Sequence, residues 1–162
     1  MKLDVTKNWR LAAERLATET DPRRRQVLAV SVEHGQAEAA ADLDRLMATV
    51  SADPRYHFWG PAGDTGPKGR STLREYYGGL LANDCHRIEF DVDRMFVDEG
   101  GAFTEGWLRI AWPGRVLQAM GQGADVVDDP DAYYLYESRN VIIWVVDDEG
   151  KVVAEDSYND GA

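Results

Sequence analysis

The chain predicts an α+β fold, with helices packed on one face of a curved, mostly antiparallel sheet. Three observations carry that prediction. Apolar residues recur at helical spacing through the first third of the chain. From His86 onward they follow strand patterns between turn clusters. The chain then closes on two runs flanking Asp147-Asp148-Glu149-Gly150, a hairpin signal.

Length and charge bound the rest. The 162 residues suit one domain with a real core, taken here as 1–162, with residues 1–20 as an N-terminal helical extension. The net charge of −11 argues against nucleic acid and against an anionic membrane, since both select basic surfaces. The run Arg23-Arg24-Arg25 is too short to reverse this and reads as a solvated helix face. With a single cysteine, Cys85, no intrachain disulfide can form. No apolar leader or membrane-length stretch stands out, so a cytoplasmic protein is expected.

The elements follow in order. Trp9, Ala12, Ala13 and Leu16 mark a short first helix. Asp21-Pro22 is a strong helix start, because Asp caps and Pro fits the first turn. Val27, Val30 and His34 share the stripe that follows, and Gly35 is expected to end or weaken the helix. Leu43, Leu46, Met47 and Val50 repeat the spacing until Asp53-Pro54 breaks it. Tyr56-His57-Phe58-Trp59 reads as a short strand, and GPAGDTGPKG as a tight loop over one end of the sheet. That loop lacks the Gly-Lys-Ser/Thr of a phosphate-binding loop. Thr72 to Glu75 fits a capping box, and Leu73, Tyr76, Tyr77, Leu80 and Leu81 form an amphipathic stripe. Strands follow over Ile88 to Val97, with an irregularity near Asp93-Arg94, and over Ala102 to Trp112. Val116 to Met120 is expected to pair back, and Gly121 to Asp131 forms an acidic loop.

The terminal hairpin carries the candidate chemistry. Val141 to Val146 is apolar throughout, so both of its faces are expected to be covered. The returning strand places Glu155, Asp156, Ser157 and Tyr158 where a strand should be dry, and an unpaired charge is costly to bury. The hairpin is therefore expected to line a pocket. If the turn is residues 147–150, one face carries Arg139, Val141, Ile143, Ala154, Asp156 and Tyr158. The other carries Asn140, Ile142, Trp144, Val153, Glu155 and Ser157. Both stay open, because a one-residue change in the turn would reassign them. The Arg139 and Asp156 face is favoured, with a structural ion pair as the competing reading.

In an apolar pocket a carboxylate gains a raised pKa and can act as base or acid near neutrality. Asp156 is the first choice and Glu155 the second, with Arg139 to polarise a carbonyl. His57 is a possible proton shuttle, although histidines so placed are often simply hydrogen-bonded. Tyr158, Ser157, Tyr76, Trp59 and Glu105 are candidate substrate contacts, and Glu105 could instead pair with Arg139 or Arg109. Cys85-His86 is not a metal motif, and no metal or cofactor is called for.

One resemblance adds to this. Asp42-Leu43-Asp44-Arg45-Leu46-Met47, the strand and glycine loop to Lys68-Gly69-Arg70, the helix Leu73 to Leu81, and Asp148 to Val153 followed by Tyr158 and Asp160 occur in a telling order. From about Val27 to Asp160 the chain resembles the nuclear transport factor 2-like superfamily, and within it the SnoaL-like proteins. The resemblance implies a cone-shaped sheet wrapped by helices around an apolar internal pocket, and often a homodimer through the sheet's outer face. It also implies a choice among polyketide cyclase, isomerase, dehydratase, epoxide hydrolase or non-catalytic binding roles. Several of the enzymes place an acid just before an aromatic on the last strand, whereas Ser157 precedes Tyr158 here. Gly106 and Leu108 stand where the epoxide hydrolases place an arginine and an aspartate, which sets that chemistry aside. Two expectations follow: a cofactor-independent acid–base enzyme acting on an apolar carbonyl compound such as a polyketide or steroid, or a binding or dimerisation module of the same fold.

Overall fold

The structure, a computed structural model, describes residues 2–61, 63–121 and 125–160. Its helices are α1 (Lys7–Leu16), α2 (Pro22–Ala39), α3 (Leu43–Ala48), α4 (Arg70–Ala82) and α5 (Gly114–Ala119). Its strands are β1 (Val50–Gly60), β2 (Gly63–Asp64), β3 (Ile88–Val97), β4 (Gly101–Pro113), β5 (Tyr133–Val146) and β6 (Val152–Asn159). They form one curved, unclosed sheet in the order β2-β1-β6-β5-β4-β3. Only β1 and β6 run parallel among neighbouring described strands. The helices pack on the concave side, giving the expected α+β cone. Its closed end is filled by Val27, Leu28, Leu46, Met47, Val50, Leu73, Val146 and Val152. Each such side chain contributes roughly 1.5–3 kcal/mol when fully buried.

Local chemistry explains where the elements begin and end. The Asp21 carboxylate accepts from the backbone N–H groups of Arg23 and Arg24, so α2 starts where expected. Gly35 does not end that helix. It lies against the Trp9 side chain of α1, and a Cβ there would sit 3.5 Å from the ring. The helix therefore runs on to Ala39 and carries Glu38 into the structure.

Other boundaries differ from the sequence reading. β1 already begins at Val50, and Pro54 sits where its register against β6 shifts, a place that tolerates a missing N–H. The glycine-rich stretch folds back along β1, with the Tyr56 N–H donating to the Pro67 carbonyl. Gly66 lies so close that a Cβ would fall 2.1 Å from the Tyr56 carbonyl oxygen, which explains the glycine. Helix α4 starts at Arg70, so Thr72 lies inside it rather than capping it. The Arg70 guanidinium donates to the carbonyls of Met47, Val50 and Ser51, tying that start to the end of α3.

The irregularity expected near Asp93-Arg94 is present as a register shift between Val92 and Arg94. Val116 to Met120 does not pair as a strand. β5 already occupies the edge of β4 from Pro113 opposite Tyr133, and the displaced segment coils into α5. Of the expected acidic loop, residues 122–124 lie outside the described residues.

Candidate functional site

A cavity of about 870 Å³ opens between the concave sheet face and helices α2 and α4. Its walls follow from side-chain periodicity. Ser31, His34, Gly35 and Glu38 fall three or four residues apart on α2 and share the face turned to the sheet. Tyr76 and Tyr77 face it from α4. Alternation along the strands sends Leu108 and Ile110 of β4, Asn140, Ile142 and Trp144 of β5, and Glu155 and Ser157 of β6 into it.

The terminal hairpin supplies the decisive carboxyl. Asp147 Oδ1 accepts from the N–H groups of Glu149 and Lys151, and Trp144 stands opposite Glu155. That register lies two residues beyond the one expected: the turn closes one residue later, with Val146 opposite Val152, and pairing slips by one more between Val145 and Val146. A slip of two preserves the faces. The cavity takes the Asn140, Ile142, Trp144, Glu155 and Ser157 face, not the favoured one.

Glu155 is half-buried in the cavity wall, and the desolvation there pushes its pKa up to about 7. The Ser157 hydroxyl, donating at 3.2 Å, and the Trp144 side chain favour the ionised form and pull against that rise, while the charge of Asp156 adds to it. Glu38 faces the same space from α2. Burial first, and then the charge of Glu155, push its pKa up to about 8. Two carboxyls sharing one desolvated space cannot both ionise cheaply.

Beside them runs a neutral hydrogen-bonded chain. The Thr49 hydroxyl donates to the Leu46 carbonyl at 2.6 Å, so its oxygen must accept from His34 Nδ1–H at 2.7 Å. Burial depresses the His34 pKa to about 4, so the ring is neutral and its Nε2 accepts from the Tyr77 hydroxyl at 3.0 Å. With both nitrogens committed, His34 holds Tyr77 in place and is not free to act as a base. Tyr56 is fully buried, which raises its pKa, and the interaction of its hydroxyl with that of Tyr77 pulls against that rise. It shares a β1 face with the cavity-lining Phe58, and the charges of Glu155 and Glu38 both raise its pKa.

Of the residues singled out from sequence, Glu155, Ser157 and Tyr76 line the cavity. Six others lie on the convex face. Arg139 does not reach Asp156. It pairs with Asp93 and, at 2.7 Å, with Glu105, and it covers the Trp107 ring at 5.6 Å. Glu105 also lies 3.4 Å from Arg94. Asp156 stands between Ile143 of β5 and His57 of β1, on the outward side of β6. His57 Nδ1 is held 2.7 Å from Asp64, and His57, Trp59 and Tyr158 stack in a row across that outer face. In each case one physical cause operates: strand parity puts these residues opposite the cavity. Glu38 was missed because the helix was expected to fade at Gly35. Its signal was there, four residues after His34 on the same stripe.

Among the described residues, no group of three or more His, Cys, Asp or Glu is arranged to hold a metal. No helix among them is long and apolar enough to cross a membrane.

A sheet rolled into a cone over one large, carboxyl-bearing cavity defines a class of pocket proteins. The chain belongs to the SnoaL-like domain family, whose model matches residues 32–155. Solved structures of the same fold include a proposed SnoaL-like polyketide cyclase of Shewanella putrefaciens, with 13% identity and a TM-score of 0.67 over 99% of this chain and 91% of that one. A second, from Jannaschia sp., has 15% identity and a TM-score of 0.63 over 88% and 91%. A Mycobacterium tuberculosis protein solved in complex with estradiol-17beta-hemisuccinate has 14% identity and a TM-score of 0.58 over 82% and 92%. At these identities the likeness establishes the fold alone. No curated protein matches the chain in sequence.

Proposed function

We propose that this protein is a cofactor-independent acid–base catalyst that turns over an apolar carbonyl compound in the cone cavity. The observation that carries this reading is Glu155, a desolvated carboxyl aimed into a largely apolar space with a second carboxyl, Glu38, facing it. With one pKa near 7 and the other near 8, the pair holds between one and two protons at pH 7 and about one midway between the two values. One member is then a base and the other an acid. The ionised carboxyl takes a proton from the carbon next to the substrate carbonyl, and the protonated one donates to the carbonyl oxygen as the enol forms. Returning a proton at another carbon completes an isomerisation. Attack of the enol carbon on a second carbonyl gives cyclisation, and loss of a β-hydroxyl as water gives dehydration. Positioned proton transfer of this kind contributes roughly 10²–10⁴-fold.

Deuterium exchange tests the reading. An apolar ketone such as 2-tetralone is incubated with the protein in D₂O and its α-protons are followed by NMR. Exchange above the buffer rate that falls by about 100-fold in Glu155→Gln is expected. Exchange at the buffer rate, or unaffected by Glu155→Gln, sinks it.

A second reading is a non-catalytic binding module. It draws on the roomy cavity and on the M. tuberculosis relative that holds a steroid derivative. Ligand binding without exchange would favour it. We also infer a homodimer through the convex face, where Trp59, Trp107 and Tyr158 are exposed, and a cytoplasmic setting. Sedimentation equilibrium showing a monomer at micromolar concentration would remove the dimer.

A further inference from the structure

We propose that the cavity is built for a ligand carrying a protonated amine on an otherwise apolar body, with the ammonium seated at Glu38 and Glu155. The inference rests on the reading above that this cavity is the ligand site, and it names the chemistry the site selects. Three features converge on it.

The first is the charge inventory. Among the described lining residues there is no lysine or arginine, so Glu38 and Glu155 are the formal charges the cavity can present. Lys7 borders a smaller recess nearby, but its ammonium is already paired with Glu89 and Asp91. The convex face consumes its own arginines in the same way: Arg139 and Arg109 pair with outer-face acids. No fixed cation therefore balances the two glutamates, and a ligand cation would.

The second is the wall around them. Tyr76 and Tyr77 are packed edge to face at 5.4 Å, Phe58 lies 5.4 Å from Tyr76, and Tyr56 lies 6.3 Å from both Phe58 and Tyr77. Aromatic rings attract a desolvated ammonium, and Phe58, Tyr76 and Tyr77 line the same cavity as the two carboxyls. The third is the fully buried Tyr56 hydroxyl, on the cavity side of β1, in contact with the Tyr77 hydroxyl and within the field of both glutamates.

Protonation supports the same picture. Left empty, the pair is held partly protonated by burial. Seating an ammonium would ionise it, so binding releases protons and tightens as the pH rises through 7 to 8. An amine so held leaves the pair without the proton that ketone turnover needs, making it an inhibitor of that turnover. The other titratable groups facing the pair are His34 from α2, Tyr76 and Tyr77 from α4 and Tyr56 from β1, with Tyr134 and Tyr136 further along β5. Burial keeps His34 neutral in this range and keeps Tyr56, Tyr76 and Tyr77 protonated. The excess of acids in the whole chain adds long-range attraction for cations.

The test is calorimetric titration at pH 8 with three ligands of one shape: 1-naphthylmethylamine, 1-naphthylmethanol and 1-naphthoic acid. The amine should bind at least about tenfold more tightly than the alcohol, and the acid more weakly than either. Its heat should change with buffer ionisation enthalpy, reporting net proton release. Glu38→Gln and Glu155→Gln should each lower amine affinity by about tenfold. Alcohol affinity should fall by clearly less than amine affinity in both variants, and an unchanged near-ultraviolet circular dichroism spectrum should show that the cavity is intact. The proposal is overturned if the alcohol or acid binds as tightly as the amine, if no amine binding is seen, or if neither variant weakens it. Glu155-dependent exchange of neutral ketones together with no amine preference would remove the amine class alone. Amine selectivity without any exchange would remove catalysis and keep the ligand class.

Discussion

Replacing Glu155 with Gln should stabilise the protein at alkaline pH, an unusual outcome for a polar side chain in a pocket. In the unfolded chain the carboxyl titrates near 4.5, and in the folded protein near 7. The folded state thus binds this proton more tightly. The stability tied to the protonated form is complete below about pH 4.5 and is lost as the pH rises through 7. The distance from 4.5 to about 7, at about 1.36 kcal/mol per pH unit, is worth about 3 kcal/mol at its limit. Glutamine has the same shape and no charge, so it escapes this loss. Its amide brings two donors that need partners, which offsets a part of the gain at every pH. The pH dependence is free of that offset. Between pH 5.5 and 8 the advantage of Glu155→Gln over the parent should grow by about 2 kcal/mol. Urea unfolding followed by tryptophan fluorescence at several pH values reads this directly. Parallel stability profiles for the two proteins would mean that Glu155 ionises as it does in water. The desolvated carboxyl, and the acid–base chemistry built on it, would then fall together.

Two further outcomes follow from the same geometry. Burial holds His34 neutral with a pKa near 4, so its ring should still carry its proton on Nδ1 at pH 5.5 in nitrogen-15 NMR; a midpoint near 6.5 would break the assigned hydrogen-bond chain. Stability tied to that neutral ring is present above about 6.5 and fades as the pH falls towards 4. Arg139→Ala should leave deuterium exchange unchanged and lower stability only slightly, since its partners lie on the outer face; a large loss of exchange would put Arg139 back in the chemistry.

Much of the fold is written in local pattern. Asp21-Pro22 starts a helix because a carboxylate satisfies free N–H groups and proline needs none. The Asp93-Arg94 irregularity shows as a break in strict alternation along β3. What local pattern does not carry is competition between distant segments. Val116 to Met120 has a strand's composition, yet Tyr133 onward takes the edge it would need. Thr72 and Glu75 satisfy a capping pattern, yet Gly69 at φ +82 and the Arg70 clamp start the helix earlier. Gly35 looks like a helix end until Trp9 is seen packed on it. That last misreading hid Glu38, and with it half of the carboxyl pair.

The choice of hairpin face is the more instructive case, because the information was present in the chain. Considered alone, the hairpin offers one acid on each face, Asp156 or Glu155, and an arginine on the same face favours Asp156. Extending the alternation across the sheet reverses that preference. The face of Arg139 and Asp156 continues into Glu105 and Arg109 on β4 and Asp91 on β3, charges that answer one another strand by strand. The face of Glu155 continues into Trp144 and Ile142, then Leu108 and Ile110, then Phe90. A charge set among matching charges is ordinary outer-surface electrostatics. A carboxyl set among uncharged neighbours on a largely apolar face costs stability, and the part of the sheet where it stands is the part open to a ligand. The residue most out of keeping with its own face, not the one with the best-looking partner, is therefore where function in this cavity should be sought.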